Sequence, residues 1–348
     1  MEEWKEYRLE KLTIGKGEYG IGASAVPFDS SKYTYLRITD INDDGTLNKQ
    51  NLMSVDDINA CNYILKKNDI VFARTGNSTG RSYFYDGSDG VLVYAGFLIK
   101  FSIDDNKVNP RILKYYTHSK PYFDWVHSFD TGGTRGNINA KTYGTMPIIL
   151  PSRKIQDKIV SILKSFDDKI ELNRRINENL EQQAQALFKS WFVDFEPFKD
   201  GKFVDSEFGK IPEGWKVGIL SDIANITMGQ SPKGTSYNEI GNGIVFYQGR
   251  ADFGNRFPSI RLFTTEPSRY AEPHSVLLSV RAPVGDINIA VEKCCIGRGL
   301  ASIYSKTGHQ SFVLYTMFSL KKELDKLYRK KVGKSRKKKN IHKNTFLF

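Results

Sequence analysis

The chain is organised around residues 152 to 194, SRKIQDKIVSILKSFDDKIELNRRINENLEQQAQALFKSWFVD. This segment contains no glycine and no proline, and its apolar residues recur three, four or seven positions apart, with one interval of ten. Such spacing is typical of a heptad seam on one long α-helix. The seam residues are Ile155, Ile159, Ile162, Phe166, Ile176, Leu180, Leu187 and Trp191. A helix of about 40 residues is roughly 60 Å long, and we expect its seam to form a helix-packing or subunit interface.

Aromatic residues crowd the end of this segment, ALFKSWFVDFEPF (186–198). Phe188, Trp191 and Phe192 are three and four residues apart, so we expect them to share one packing face in the last turns of the helix. Pro197 is expected to end the helix, and the phenylalanines on either side of it to pack the exit loop against a domain. A platform for stacking nucleic-acid bases is the alternative role of this cluster.

The segments on either side of the helix repeat one pattern. Four motifs recur in the same order, at an offset of 211 residues for the first and 203 for the last. They are EWKEYRLEKL and GWKVGILSDI (3–12 and 214–223), DIVFARTGNSTG and SVLLSVRAPVG (69–80 and 275–285), VYAGFLIKF and CIGRGLASI (93–101 and 295–303), and NINAKTY and NIHKNTF (137–143 and 340–346). The second motif aligns Arg74 with Arg281 and Gly80 with Gly285. Conserved order indicates duplication of one domain.

Each copy has the composition of a β-rich domain. Short runs of Val, Ile, Tyr and Phe are separated by clusters of Gly, Asn, Asp and Ser, and helices are expected around 111–126 and 313–328. The sequence therefore predicts an α+β fold, with two similar β-rich domains joined by a long coiled-coil-type α-helix. We assign 1–150 to the first domain, 151–198 to the helix, 199–328 to the second domain and 329–348 to a basic tail.

The net charge of +12 is concentrated near one end of the chain. Residues 329–343, RKKVGKSRKKKNIHK, contain nine Lys or Arg and no acid, whereas residues 1–328 contain 42 basic and 39 acidic residues. The charge is therefore weak evidence for a particular partner. The three cysteines form no CxxC motif, and no apolar run approaches the roughly 18 residues of a membrane span, so we expect a cytoplasmic protein.

Motifs of catalysis and of cofactor binding are incomplete. GKGEYG (15–20) has dinucleotide-loop glycines but no helical pattern after it, and TGGTRGN (131–137) lacks the Lys-Ser/Thr of a phosphate loop. The five histidines have no metal-ligand spacing. The one E-x-K triplet has no Asp before it, and no Pro-Pro pair occurs. Asp167 and Asp168 are expected to be solvated helix charges. We expect a non-catalytic chain with no metal and no cofactor of its own.

Polar and basic residues near strand-end turns are of the types that contact DNA. Arginine can donate two hydrogen bonds to guanine and asparagine can pair with adenine, while lysine and threonine bind phosphates. The candidates are Arg74, Thr75, Asn77, Arg81, Thr134, Arg135, Asn137, Lys233, Arg250, Arg281 and Arg298. The alternative role of each is structural, since a turn arginine often pairs with a nearby acid and a turn asparagine often caps its own backbone.

Together these features resemble the specificity subunit (HsdS) of type I restriction-modification systems. The resemblance rests on the two β-rich copies, on GEYG, GQSPKG and GGTRGNI, and above all on KIELNRRINENLEQQAQALFKSWFVDFEPF (169–198). It implies that each copy is a target recognition domain that reads one half of a split double-stranded DNA sequence. It also implies that the long helix sets the spacing between the two half-sites and docks methyltransferase subunits carrying S-adenosylmethionine. A motor-nuclease subunit that uses ATP and Mg²⁺ is the further partner that the resemblance implies.

One departure from the family concerns the end of the second copy, where a second long helix is expected. KSRKKK (334–339) stands in the place of TGGTRG (131–136). A shifted reading frame near residue 328 and a phosphate-binding arm are the two interpretations of this basic tail. An unpaired seam on the helix favours association with another copy or another specificity fragment. A non-catalytic scaffold that binds proteins rather than DNA is the alternative function.

Overall fold

The computed structural model describes residues 4–130, 136–281, 283–332 and 345–347. The chain forms two compact units, residues 1–174 and 175–348, so the boundary between them falls inside the long helix. The Thr134 and Arg135 candidates, and residues 333–344 and 348 of the basic tail, lie outside the described residues. None of the helices in the described ranges is long and apolar enough to cross a membrane.

The first unit contains ten strands and three short helices before the long helix among its described residues. In chain order they are β1 (Lys5–Arg8), β2 (Thr13–Tyr19), β3 (Ala25–Pro27), β4 (Tyr33–Leu36), β5 (Met53–Val55), β6 (Asp69–Ala73), β7 (Ser82–Tyr85), β8 (Leu92–Tyr94), β9 (Leu98–Ile103), α1 (Pro110–Tyr116), α2 (Lys120–His127), α3 (Ala140–Gly144), β10 (Pro147–Leu150) and α4 (Arg153–Phe192). The strands form two four-stranded sheets, β2-β9-β6-β7 and β3-β5-β4-β8, and the pair β1-β10.

The second unit contains thirteen strands and two helices after α4 among its described residues. In chain order they are β11 (Phe203–Ser206), β12 (Gly209–Pro212), β13 (Val217–Ile219), α5 (Leu220–Ile223), β14 (Ala224–Met228), β15 (Tyr237–Asn238), β16 (Ile244–Tyr247), β17 (Leu262–Thr264), β18 (Tyr270–Ala271), β19 (Val276–Ser279), β20 (Ile287–Ile289), β21 (Cys294–Ile296), β22 (Leu300–Ser305), α6 (Gln310–Val332) and β23 (Thr345–Leu347). The main sheets are β14-β22-β19-β20 and β15-β17-β16-β21-β18, with pairs β11-β12 and β13-β23.

The two units share one strand order. β2-β9-β6-β7 corresponds to β14-β22-β19-β20, and β3-β5-β4-β8 to the first four strands of β15-β17-β16-β21-β18. In both units one pair of the second sheet is parallel, β4 with β8 and β16 with β21. A parallel pair inside an otherwise antiparallel sheet is a specific topological feature, so its recurrence supports duplication. The predicted α+β class with two similar β-rich domains and a long helix is confirmed.

One central strand in each unit belongs to two hydrophobic cores. Alternate residues of a strand face opposite sides, and β6 accordingly places Ile70 and Phe72 in one core and Val71 in another. In the second unit β19 places Val276 in one core and Leu277 in the other. Both strands are fully buried, which explains their continuous apolar runs. Residues at the ends of these strands are thereby held rigidly.

The long helix begins close to the predicted position and loses contact with the first core within three turns. Val160 is buried in that core and Ile159 packs against it. From Ile162 to Trp191, the predicted seam residues are between 45 and 59% exposed. The assignment of the seam as an interface remains a prediction. The exposed apolar residues of the seam provide a surface on which a partner could pack.

Two predicted helix boundaries are wrong. Residues 111–126 form two helices, because Pro121 has no N–H to continue the first and Ser119 is in an extended conformation. Pro197 does not end α4, which stops at Phe192. The chain turns at Phe195, whose φ of 56° is left-handed, and the Asp194 N–H donates to the Lys189 carbonyl at 2.9 Å. Pro197 is instead the second residue of a short 3-10 turn, Glu196–Phe198.

Candidate nucleic-acid interface

Arg74 lies where three segments of the first domain meet. It follows β6 directly, and its backbone N–H donates to the Phe97 carbonyl in the β8–β9 turn at 3.1 Å. Its own carbonyl accepts from the Ile138 N–H at 3.0 Å. Because Asn137 and Ile138 follow the glycine-rich loop, the backbone brings two of the predicted DNA-contact segments together.

The side chains at this junction form a cluster of Arg74, Tyr19 and Asn137. The guanidinium of Arg74 lies over the Tyr19 ring, 5.0 Å from its centroid, and Arg74 Nε donates to Asn137 Oδ1 at 3.4 Å. The Tyr19 hydroxyl accepts from the Ala140 N–H at 3.1 Å. Tyr19 is 42% exposed and Asn137 is exposed. A guanidinium held on an aromatic face at the surface is suited to a planar polar ligand.

Two other candidates near this cluster have different surroundings. Arg81 pairs with Asp43 at 2.6 Å and donates to the Ile41 carbonyl at 3.1 Å. These contacts give Arg81 a structural role, the alternative to a DNA contact. Asn77 is exposed and Thr75 is half-buried, both in the turn between β6 and β7. The structure brings both into the loop that begins at Arg74.

The predicted alignment of Arg74 with Arg281 is wrong by one residue. Arg74 N–H donates to the Phe97 carbonyl, and in the second domain the Val280 N–H donates to the Gly299 carbonyl in the matching turn. Strand pairing agrees, since Ala73 faces Leu98 and Ser279 faces Leu300. The counterpart of Arg74 is therefore Val280. Sequence alignment missed this because it matched the arginines, whereas strand register decides which residues are equivalent.

The residue that ends the same turn forms an ion pair in both domains, but it is basic in the first domain and acidic in the second. Arg81 and Asp286 occupy equivalent positions, since their carbonyls accept from the last residues of β6 and β19. Asp286 binds Arg250 at 2.7 Å and Lys321 at 2.9 Å. Burial would raise the pKa of Asp286, but hydrogen bonds from these two cations lower it below the ordinary value. Arg250 therefore stabilises a turn in addition to any DNA role.

The remaining candidates of the second domain are dispersed and exposed. Lys233 is 4.0 Å from Glu266, with 82% of its side chain exposed. Arg281 is exposed immediately after Val280. The exposed Arg298 donates its backbone N–H to Ser231 Oγ at 3.3 Å. None of the contacts in the described part of the chain joins these three side chains into a cluster like that of Arg74, and their assignment to DNA remains a prediction.

Tyr19 was not among the predicted site residues. The sequence feature that could have identified it is its place directly before Gly20. The Gly20 N–H donates to the Leu98 carbonyl at 3.2 Å, as the Gly229 N–H does to Leu300 at 2.9 Å. A Cβ at Gly20 would lie 2.3 Å from two backbone carbonyl oxygens, and one at Gly229 would lie 2.2 Å from a carbonyl oxygen. Both positions require glycine, so the residues before them project from a fixed point.

Each domain holds its own part of α4 through an acid–tyrosine–cation contact. In the first, Asp167 accepts from Lys114 at 2.6 Å and from the Tyr115 hydroxyl at 3.0 Å. Burial, together with the Asp167 carboxylate, raises the pKa of Tyr115. The expectation that Asp167 is a solvated charge is therefore wrong, because α1 packs beside it. Asp168 pairs with Lys164 along the helix surface.

The corresponding contact in the second domain uses Glu181. Its carboxylate pairs with Arg256 and lies 3.4 Å from the Tyr315 hydroxyl. Tyr115 and Tyr315 each occupy the sixth position of the helix that follows the main sheet, α1 or α6. The same type of contact at the same helix position indicates that α4 is an integral component of both domains.

The aromatic end of α4 packs within the second domain. Phe188 lies 5.7 Å from Phe312 and Phe192 lies 4.9 Å from it, ring centre to ring centre. Phe195 and Phe198 both contact Trp215, at 5.1 and 5.4 Å. Trp191, in contrast, remains 45% exposed. Phe188 and Phe192 form the expected packing face against Phe312. Trp191 lies at the edge of this face, with its ring 6.3 Å from that of Phe192, and all three side chains border a cavity of about 730 Å³.

Among the described residues, no group of three or more His, Cys, Asp or Glu side chains is arranged to hold a metal ion. The acids described above are engaged in ion pairs that organise turns and helix contacts. The chemistry that the cluster around Arg74 offers is hydrogen bonding by a positioned cation, which is chemistry of recognition.

Two domains of one topology, each carrying a rigid strand-end turn beside a projecting residue, define a protein that presents two related recognition surfaces. A family model described as type I restriction modification DNA specificity domain matches residues 1–182 and 212–343. The chain therefore belongs to the type I restriction-modification DNA specificity family. The prediction of a DNA-recognition specificity subunit is confirmed, and within such systems this family supplies recognition rather than catalysis.

Relatives agree with this membership, and a solved structure shares the fold. The chain is 34% identical over 310 residues to the putative type I restriction enzyme MjaX specificity subunit of Methanocaldococcus jannaschii, covering 86% of this chain and 72% of that protein. It is 32% identical over 208 residues to the type I restriction enzyme HindI specificity subunit of Haemophilus influenzae, covering 57% of this chain and 43% of that protein. The S subunit from M. genitalium shares its fold, with a TM-score of 0.55, 16% identity and coverage of 100% and 85% of the two chains.

Proposed function

We propose that this chain reads a split sequence in double-stranded DNA, one half with each domain, as the recognition subunit of a type I restriction-modification complex. The observation that carries the proposal is the shared strand order of the two domains combined with different side chains at equivalent turn positions, such as Arg74 and Val280. One scaffold used twice with different contact residues is what a two-part target requires.

The partners in this proposal supply the catalytic chemistry. Methyltransferase subunits would bring S-adenosylmethionine, and a motor-nuclease subunit would bring ATP and Mg²⁺. The exposed seam residues of α4, for example Phe166, Leu180 and Leu187, form the surface to which the methyltransferase subunits or a second specificity fragment would dock. Apolar residues repeated in heptads on an exposed helix favour helical partners.

The test compares the DNA methylation of a strain with this gene intact and with the gene deleted. We expect methylation of adenines in a split motif in the intact strain only. A motif that is unchanged by the deletion contradicts the proposal. Purified protein that binds proteins but retains no DNA at low salt would instead support the protein-binding scaffold, because phosphate contacts make specific DNA binding strongly salt-dependent.

A further inference from the structure

In the first domain the Tyr19 ring orients Arg74, and the second domain lacks both residues at the equivalent positions. Gly20 and Gly229 are equivalent, so Met228 stands in the place of Tyr19. Val280 stands in the place of Arg74. The backbone framework is the same in both domains, and the arginine and the ring beneath it are both replaced. Residues that determine specificity are expected to differ between two domains that share one backbone. Tyr19 and Arg74, which are both replaced in the second domain, meet this expectation.

The cluster orients the Arg74 guanidinium through one ring contact and one hydrogen bond. The Tyr19 ring covers one face of the guanidinium at 5.0 Å. Asn137 accepts from Nε at 3.4 Å, so the two terminal nitrogens are not used by this contact. Tyr19 is itself tied to α3 through the Ala140 N–H. The plane and direction of the guanidinium are thus set by residues from two distant segments.

We infer that Tyr19 is a positioning residue that holds Arg74 for bidentate recognition of a guanine in the first half of the target. The inference rests on the proposed function. Two parallel N–H groups match guanine O6 and N7 in the major groove, and a guanidinium whose plane is fixed loses less freedom when it binds. The second domain, with Met228 and Val280, cannot use this mode at the equivalent position and must read its half-site with other residues.

The test uses the complete complex in cells and a plasmid library in which each half of the split site is randomised in turn. R74K retains the positive charge but not the two-pronged donor, so the preference for one G·C pair in one half-site should fall by about 5- to 150-fold. Y19L removes the ring and should reduce the same preference by about 2- to 5-fold. Y19F, which keeps the ring, should lose less than Y19L.

The control is I14L, which changes another exposed side chain of β2 and should leave the preference as it is. The half-site read by the second domain is an internal control, because a general loss of stability would lower methylation of both halves. A guanine preference that survives in R74K overturns the inference. So does an equal decline at every base pair, which would indicate a phosphate contact.

Further outcomes separate this inference from the proposed function. If the wild-type complex methylates a split site and Y19L behaves like I14L, the positioning role of Tyr19 is wrong and the proposed function stands. If R74K alters the preference at an A·T pair, the assignment to guanine is wrong. If the wild-type complex methylates no split site, the proposed function fails and the inference fails with it.

Discussion

At the scale of single residues, backbone geometry at two pairs of equivalent glycines determines where the residues beside the strand-end turns project. Gly80 and Gly285 end equivalent turns with φ of 89° and 93°, a conformation that favours glycine. Gly20 and Gly229 are constrained by space instead, since carbonyl oxygens lie within 2.3 Å of a Cβ built there. Gly80 and Gly20 hold the turn and the strand end on which Arg74 and Tyr19 are placed, and Gly285 and Gly229 hold the equivalent positions of the second domain.

Substitution of Gly20 by alanine should destabilise the first domain. The added Cβ would meet two carbonyl oxygens at 2.3 Å, and displacing packed backbone typically costs about 1–3 kcal/mol. G22A is the matched control, because a Cβ there has nothing within 4 Å. Urea unfolding of both variants measures the difference, and equal midpoints would contradict the close packing at Gly20.

At the scale of elements, α4 is held by each domain through different residues of the same kind. Asp167 contacts Lys114 and Tyr115 in the first domain, and Glu181 contacts Arg256 and Tyr315 in the second. Partly exposed ion pairs contribute little by themselves, so most of the stabilisation must come from burial. In the second domain that burial is provided by the aromatic end of the helix.

Substitution of Phe188 by alanine should loosen α4 from the second domain. Phe188 packs against Phe192, Phe312 and Tyr315 at ring separations of 5.1, 5.7 and 6.0 Å. Its removal should cost about 2 kcal/mol, less than a fully buried phenylalanine. The neighbouring L187A variant should cost less than about 1 kcal/mol, because Leu187 is 53% exposed. Hydrogen exchange in α6 should accelerate in F188A only, and similar rates in both variants would argue against this packing.

At the scale of the whole molecule, the length of α4 is the proposed determinant of the distance between half-sites. Duplicating residues 169–175 adds one heptad and keeps the seam in phase. The helix would lengthen by about 10 Å, equivalent to about three base pairs of B-DNA. We expect the methylated motif to keep both halves and to gain about three base pairs of spacer.

The control for this experiment is a seven-residue insertion in the exposed turn at 240–243, which lies outside the helix. Sequencing of methylated genomic DNA measures the spacer in both variants. A spacer that is unchanged by the helix insertion, with both half-sites still recognised, would show that α4 does not set the distance.

The sequence by itself determined the features that depend on local periodicity and composition. The heptad pattern of 152–194 predicted α4 to within a few residues at each end, and repeated motifs predicted two domains of one fold. The family followed from the same motifs. These signals are readable because helix and strand periods are set by the backbone and repeat along the chain.

Only the tertiary structure decided which side chains meet. Arg74 and Tyr19 lie 55 positions apart in sequence, and the pairing of β2, β9 and β6 brings them to one point. Strand register also shows that the counterpart of Arg74 is Val280 and not Arg281. Motif alignment could not detect this shift of one residue. The physical reason is that hydrogen-bonded pairing between distant strands, rather than local preference, fixes which residues share a surface.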